Sequence, residues 1–169
     1  MDRTAVIQAI KAALDAGQLA TVRELAAEAP ADVAARALAA AGRARGVQPG
    51  YYTVVLADGH VTFRVKRQAP GANFAPGELV VARLRGPQND ADYTGVAFIK
   101  EGGVLVVWKK FRDDARLRAA LDVLVGDPRA AALGYAQAAG CCYVCGRLLT
   151  TPESIDSGIG PVCAEKGGY

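Results

Sequence analysis

One histidine, one methionine and one tryptophan are all that the 169 residues contain of those types, and the scarcity of histidine removes most routes to acid–base or nucleophilic catalysis. There is no G-x-S-x-G elbow, no H-E-x-x-H helix and no phosphate-cradling glycine-rich loop. No apolar run reaches the length of a membrane span, so the high alanine and valine content reads as globular core. Met1, Asp2, Arg3 and Thr4 lead into an amphipathic segment rather than an uninterrupted signal core, so the expected compartment is the cytoplasm. An excess of one charge is missing too: the formal net charge is only +3, which is weak support for a polyanion partner.

What is present is four cysteines, three of them spaced for zinc. Cys142 and Cys145 form a C-x-x-C, which turns back so that both sulfurs face one ion, and Gly146 frees that turn from Cβ strain. Nearby backbone N–H groups are expected to stabilise the thiolates. Thr151 then reads as a helix cap with Pro152 at the first helical position, and Gly158 and Gly160 allow a reversal into Pro161 and Cys163. Cys163 is expected in the first turn of a short helix, where the dipole favours a thiolate. A knuckle, a connection and a ligand at a helix start make a treble-clef-like zinc module holding one structural Zn2+. Cys141 is the nearest candidate for the fourth ligand, although adjacent side chains diverge on an extended backbone. His60, a carboxylate such as Asp156 or Glu165, or water could also close the tetrahedron. A redox pair would need a βαβ setting that the flanking residues do not supply, and a disulfide framework would need export.

The stretch from Cys142 to Lys166, with C-x-x-C-G-R-x-L-T, then P-x-S, then G-I-G-P-x-C-A-x-K, resembles a zinc-knuckle family of unknown function. That family is found in phage and actinobacterial proteins, sometimes appended to helicase-like or DNA-processing proteins. The residues that carry the resemblance are Cys142, Cys145, Gly146, Arg147, Leu149, Thr150, Pro152, Ser154, Gly158, Gly160, Pro161 and Cys163. It implies work associated with nucleic acid and names no reaction.

The rest of the chain predicts an α+β fold in four stretches: a helical region over 1–46, an antiparallel β region over 50–112, a helical connection over 113–139 and the zinc module over 140–169. Val6, Ile7, Ile10, Ala13 and Leu14 repeat at helical spacing before Gly17. Leu19, Val22, Leu25 and Ala26 form a second stripe, and Val33, Ala37 and Leu38 a third that ends at Arg43, Ala44 and Arg45. Strands are predicted over 51–57, 60–66, 78–85, 95–100 and 104–110, the first two joined by Asp58-Gly59. Val61, Phe63 and Val65 alternate with Thr62, Arg64 and Lys66; Val80, Ala82 and Leu84 are expected to oppose Arg83 and Arg85. Five short strands in sequence suggest a meander, curled into a small barrel or packed on helices.

From residue 60 to 112 there are nine basic residues against four acidic ones. Arg64, Lys66, Arg83, Arg85, Lys109 and Lys110 are therefore the candidate phosphate contacts, with Arg147 adding one from the zinc module. Tyr51, Tyr52, Phe74, Tyr93, Trp108 and Tyr143 are candidates for stacking on bases. The rival reading is an adaptor that binds a protein partner through its N-terminal helices. An enzyme is the least supported, and its main form would be a zinc-dependent hydrolase with water activated at an open metal position; Asp90, Asp92, Asp113 and Asp114 could pair around a divalent ion, but such residues on loops and helix starts ordinarily cap.

Overall fold

The structure, a computed structural model, describes residues 2–16, 18–42 and 46–167. Gly17 and the predicted helix end at Arg43, Ala44 and Arg45 lie outside the described residues, as do the side chains of Leu19 and Leu38.

Helices α1 (Arg3–Asp15), α2 (Leu19–Ala27) and α3 (Ala31–Gly42) open the chain. Pro30 separates the last two, because it can start a helix but not continue one. Val6, Ile10, Ala13, Val22, Ala26, Val33 and Ala37 close a small core of their own, and the alanines let the helices approach closely. An exposed ion pair of 2.6 Å joins Arg3 to Asp32 across α1 and α3.

Strands β1 (Gly50–Leu56), β2 (Gly59–Arg67), β3 (Leu79–Leu84), β4 (Tyr93–Lys100) and β5 (Val104–Val107) form one antiparallel meander in sequence order. Leu56 pairs with Gly59, so the first hairpin turns on Ala57 and Asp58, one residue earlier than predicted. The β2 alternation holds: Val61, Phe63 and Val65 face the core. On β3 the expectation is reversed. Leu79 and Val81 carry the core face, and Arg83 lies opposite Phe63, so it belongs to that face as well. A bulge in the β3–β4 register follows, between Val81 and Ala82. The last strand stops at Val107, and Lys109–Phe111 wind into a 3-10 turn, which takes Lys109 and Lys110 off the sheet.

Two helices cover the sheet. Asp114 caps α4 (Ala115–Gly126) by accepting from the Leu117 N–H at 2.9 Å, and Asp127 caps α5 (Pro128–Ala139) by accepting from the Ala130 N–H at 3.0 Å. Leu117, Leu121 and Leu124 from α4 and Ala131, Ala132 and Tyr135 from α5 join the sheet's apolar face in the main core. Two short helices, α6 (Pro152–Ser157) and α7 (Pro161–Glu165), complete the chain. Among the described residues no helix is long and apolar enough to cross a membrane.

Candidate metal centre

The knuckle starts where α5 ends. Cys141 bridges Leu148 in an antiparallel pair, Cys142 donates its N–H to the Arg147 carbonyl at 2.8 Å, and Leu149 donates to Gly140 at 3.0 Å. Gly146 turns the chain at φ +76°, and its N–H bonds the Cys142 carbonyl at 2.8 Å rather than a sulfur. Cys142 Sγ accepts from both sides of the site: from the Gly160 N–H at 3.4 Å and from the Val144 and Cys145 N–H groups of the knuckle itself. Thr151 and Ser154 close a capping box on α6, which fixes how the chain returns to Gly160 and Cys163.

These turns bring together three ligands that are far apart in sequence. The sulfurs of Cys142, Cys145 and Cys163 all lie within 4.8 Å of one another, an arrangement that could hold a metal ion. Cys142 is buried, Cys163 partly buried and Cys145 exposed, so the site is anchored in the protein and opens at the surface. A cleft of about 320 Å³ leads to it past Arg147, Leu148, Val162 and Lys166.

The electrostatics follow the sequence expectation at Cys142 and depart from it at Cys163. Burial disfavours ionisation of Cys142, yet the N–H groups of Gly160, Cys145 and Val144 and the Cys145 thiol outweigh it and hold Cys142 below the ordinary thiol range. Cys163, expected to gain from a helix start, is instead pushed up to about 11 by burial and by the two neighbouring thiols. Three thiols this close oppose one another's ionisation, and a bound cation is what removes that penalty. The donor set therefore suits a metal ion.

Cys141 is not in the group of three; its thiol donates instead to the Ala139 carbonyl at 3.4 Å. His60 pairs with Val55, five residues along β1 from Gly50, which abuts Tyr143 beside the knuckle. At a rise of about 3.3 Å per residue that is roughly 17 Å. Asp156 and Glu165 are exposed and stand outside the group.

The knuckle is joined to the rest of the fold through its own backbone. Tyr51 of β1 donates its N–H to the Tyr143 carbonyl at 2.6 Å, and Tyr143 donates to Gly158 at 3.1 Å. The Tyr143 ring is buried in the main core. Gly158, at φ +74°, lies so close to α5 that a Cβ there would stand 2.9 Å from the Ala136 Cβ.

The predicted phosphate contacts have separate environments. Lys66, Arg85, Lys109, Lys110 and Arg147 are exposed. Arg64 lies over the Tyr93 ring at 4.4 Å and donates to the Asp90 carbonyl at 3.2 Å. Arg83 has a side chain only 14% exposed and pairs with Asp114 at 3.1 Å, so it braces the start of α4. Of the candidate stacking aromatics, Tyr52 and Tyr143 are buried, Tyr51 stacks on Tyr135, and Phe74 is the one that is half exposed. Asp92 accepts from the Gln88 N–H at 2.9 Å, so Asp92 and Asp114 serve turns and caps. The sequence reading did not choose Arg112 and Arg118 as contacts, yet they line clefts beside β5; no local pattern marks them, because Lys11, Phe74 and Phe98, far away in sequence, complete those walls.

With this geometry in place, comparison with known families has one result. Residues 127–168 match a family of unknown function, DUF6011. The match covers about a quarter of the chain, from the capping Asp127 through α5, the knuckle and α7. It thus includes α5, which lies before the stretch whose motif suggested the resemblance. No curated protein and no solved structure matches the chain.

Proposed function

We propose that this protein is a zinc-containing nucleic-acid-binding accessory protein, in which one Zn2+ is structural and the sheet side of the molecule contacts phosphate. The observation that carries the metal reading is the convergence of Cys142, Cys145 and Cys163 within 4.8 Å. Zn–S bonds of about 2.3 Å imply tetrahedral sulfur edges of about 3.8 Å, a small contraction from that arrangement. The ion would supply charge neutralisation and a cross-link between the knuckle and α7. The three cysteines would hold it, and the Gly160 N–H would orient Cys142.

The nucleic-acid reading is supported by the exposed cations Lys66, Arg85, Lys109, Lys110 and Arg147 and by a half-exposed Phe74. Phosphate neutralisation by such side chains makes binding fall steeply with salt. The test has two arms. Metal released by chelator and thiol reagent should amount to one zinc per chain, and a metal-free chain with reactive thiols would overturn the metal assignment. Anisotropy titration of labelled DNA and RNA at several salt concentrations should give a slope of several phosphates, and no binding at low salt would overturn the nucleic-acid assignment.

A specific feature favours a second reading, an adaptor for a protein partner. A largely apolar groove of about 360 Å³ runs between α1, α3 and β5, with Ile7 42% exposed at its edge. Capture of a partner that is lost on Ile7→Asp, with nucleic-acid binding absent, would select this reading.

A further inference from the structure

The side of β5 and the 3-10 turn carries two clefts that adjoin. One, of about 390 Å³, is walled by Phe74, Phe98, Trp108, Lys109 and Arg112; the other, of about 330 Å³, by Lys11, Arg112, Arg118 and Asp122. They share Val106, Val107 and Arg112, so an aromatic surface passes directly into a cationic one.

The aromatic end is built rather than incidental. Phe74 stands edge-on to Phe98 at 6.1 Å and to Trp108 at 5.6 Å between ring centroids, yet half its surface stays exposed. The indole rests on Gly95, where a Cβ would come within 2.3 Å of it. Ala75, next to Phe74, has φ +45°, a left-handed conformation that is strained for a residue with a Cβ. Backbone bonds from Ala72 to Ala69 at 3.0 Å, from Gly77 to Ala69 at 3.3 Å and from Glu78 to Ala75 at 3.1 Å hold the loop in that shape. At the cationic end Arg118 donates to the Arg112 backbone carbonyl at 3.1 Å, which ties its guanidinium to the end of the 3-10 turn. Lys11, Lys109, Arg112 and Arg118 face a single carboxylate, Asp122, across the two clefts.

We propose that the two clefts form one track for single-stranded nucleic acid: a base packs on Phe74, and the following phosphates run over Arg112 to Lys11 and Arg118. This rests on the nucleic-acid reading above and names its strand type. Base–aromatic packing needs a base freed from its neighbours, which a duplex does not offer, and the surplus of positive charge suits a phosphate chain rather than a neutral peptide.

The protein's single tryptophan lies in the track, so the zinc-loaded chain reports on the site directly. Titration with oligothymidine should change Trp108 emission, whereas a duplex of equal length should bind more weakly and leave it unchanged. Phe74→Ala should weaken single-strand binding about 5- to 150-fold with its salt slope intact, and Phe74→Trp should restore it. Replacing Lys11, Arg112 and Arg118 together by Gln should lower the slope by about 2. Single-strand binding that ignores all these changes and leaves Trp108 emission unmoved would overturn the track while leaving the nucleic-acid reading in place. Equal binding of duplex with the same emission change would overturn the strand assignment. Displacement of the oligonucleotide by an acidic aromatic peptide that binds more tightly would overturn the choice of occupant. If no nucleic acid of any kind binds at low salt, both readings fall.

Discussion

On the proposed zinc assignment, removing one of the three converging thiols should loosen the whole sheet–helix body, not the knuckle alone. Cys145 is the thiol to remove, because it is exposed and Cys145→Ser opens no cavity in the core. A ligand present at 100 to 1,000 times its dissociation constant stabilises the native state by about 2.7–4.1 kcal/mol. In a chain of this size each kcal/mol moves the melting midpoint by about 2–4 °C, so the loss should be about 5–16 °C. It reaches the sheet through the 2.6 Å bond from the Tyr51 N–H to the Tyr143 carbonyl and through the buried Tyr143 ring. The assay is far-UV circular dichroism melting of the wild type, the wild type with chelator, and Cys145→Ser, with hydrogen exchange read at the Tyr51 amide. One cooperative transition, shifted together with faster exchange at Tyr51, is expected. A metal-free variant whose melting stays within about 1 °C of wild type, with Tyr51 exchange unchanged, would refute the coupling.

Gly158→Ala should destabilise the fold by about 1–3 kcal/mol, because φ is +74° and the new methyl would meet α5 at Ala136; equilibrium urea unfolding measures it, and a loss below about 0.5 kcal/mol would contradict the close packing. Asp114 carries an acid dependence. The Leu117 N–H chiefly, and the Arg83 guanidinium against the opposing effect of burial, hold its carboxyl below the ordinary 3.8. A depressed carboxyl contributes stability that is present above the unfolded value and lost as pH falls through the folded one. Asp114→Asn keeps a helix cap but removes the charge, so it should flatten the stability profile below about pH 4; an unchanged acid limb in that variant's unfolding curves would assign the dependence elsewhere.

Much of the fold was legible because local rules acted without competition. Pro30 and the Asp127-Pro128 pair mark helix starts, and the β2 alternation survives because one of its faces meets the core. On β3 the same reasoning failed. Its apolar residues run on both parities, and alternation cannot choose a face when both are partly covered; pairing with β2 put Val81 inward and took Arg83 with it. The end of β5 was misjudged for a related reason. Trp108 folds back over Gly95, a tertiary contact with no local signature.

For the metal site, the sequence by itself determined the three cysteines, their turn residues and the capped return through Thr151 and Pro152, since chelate reach and turn geometry are short-range properties. The tertiary structure decided how the thiols differ, because the Gly160 N–H that helps hold Cys142 below the ordinary thiol range comes from across the site and the burial that raises Cys163 comes from packing. It also decided that the knuckle shares a core with the sheet, and that Arg83 braces a helix while Arg112 lines a cleft. Charge along a chain states how many cations there are; which of them water and a ligand can reach depends on what the folded chain places beside each one.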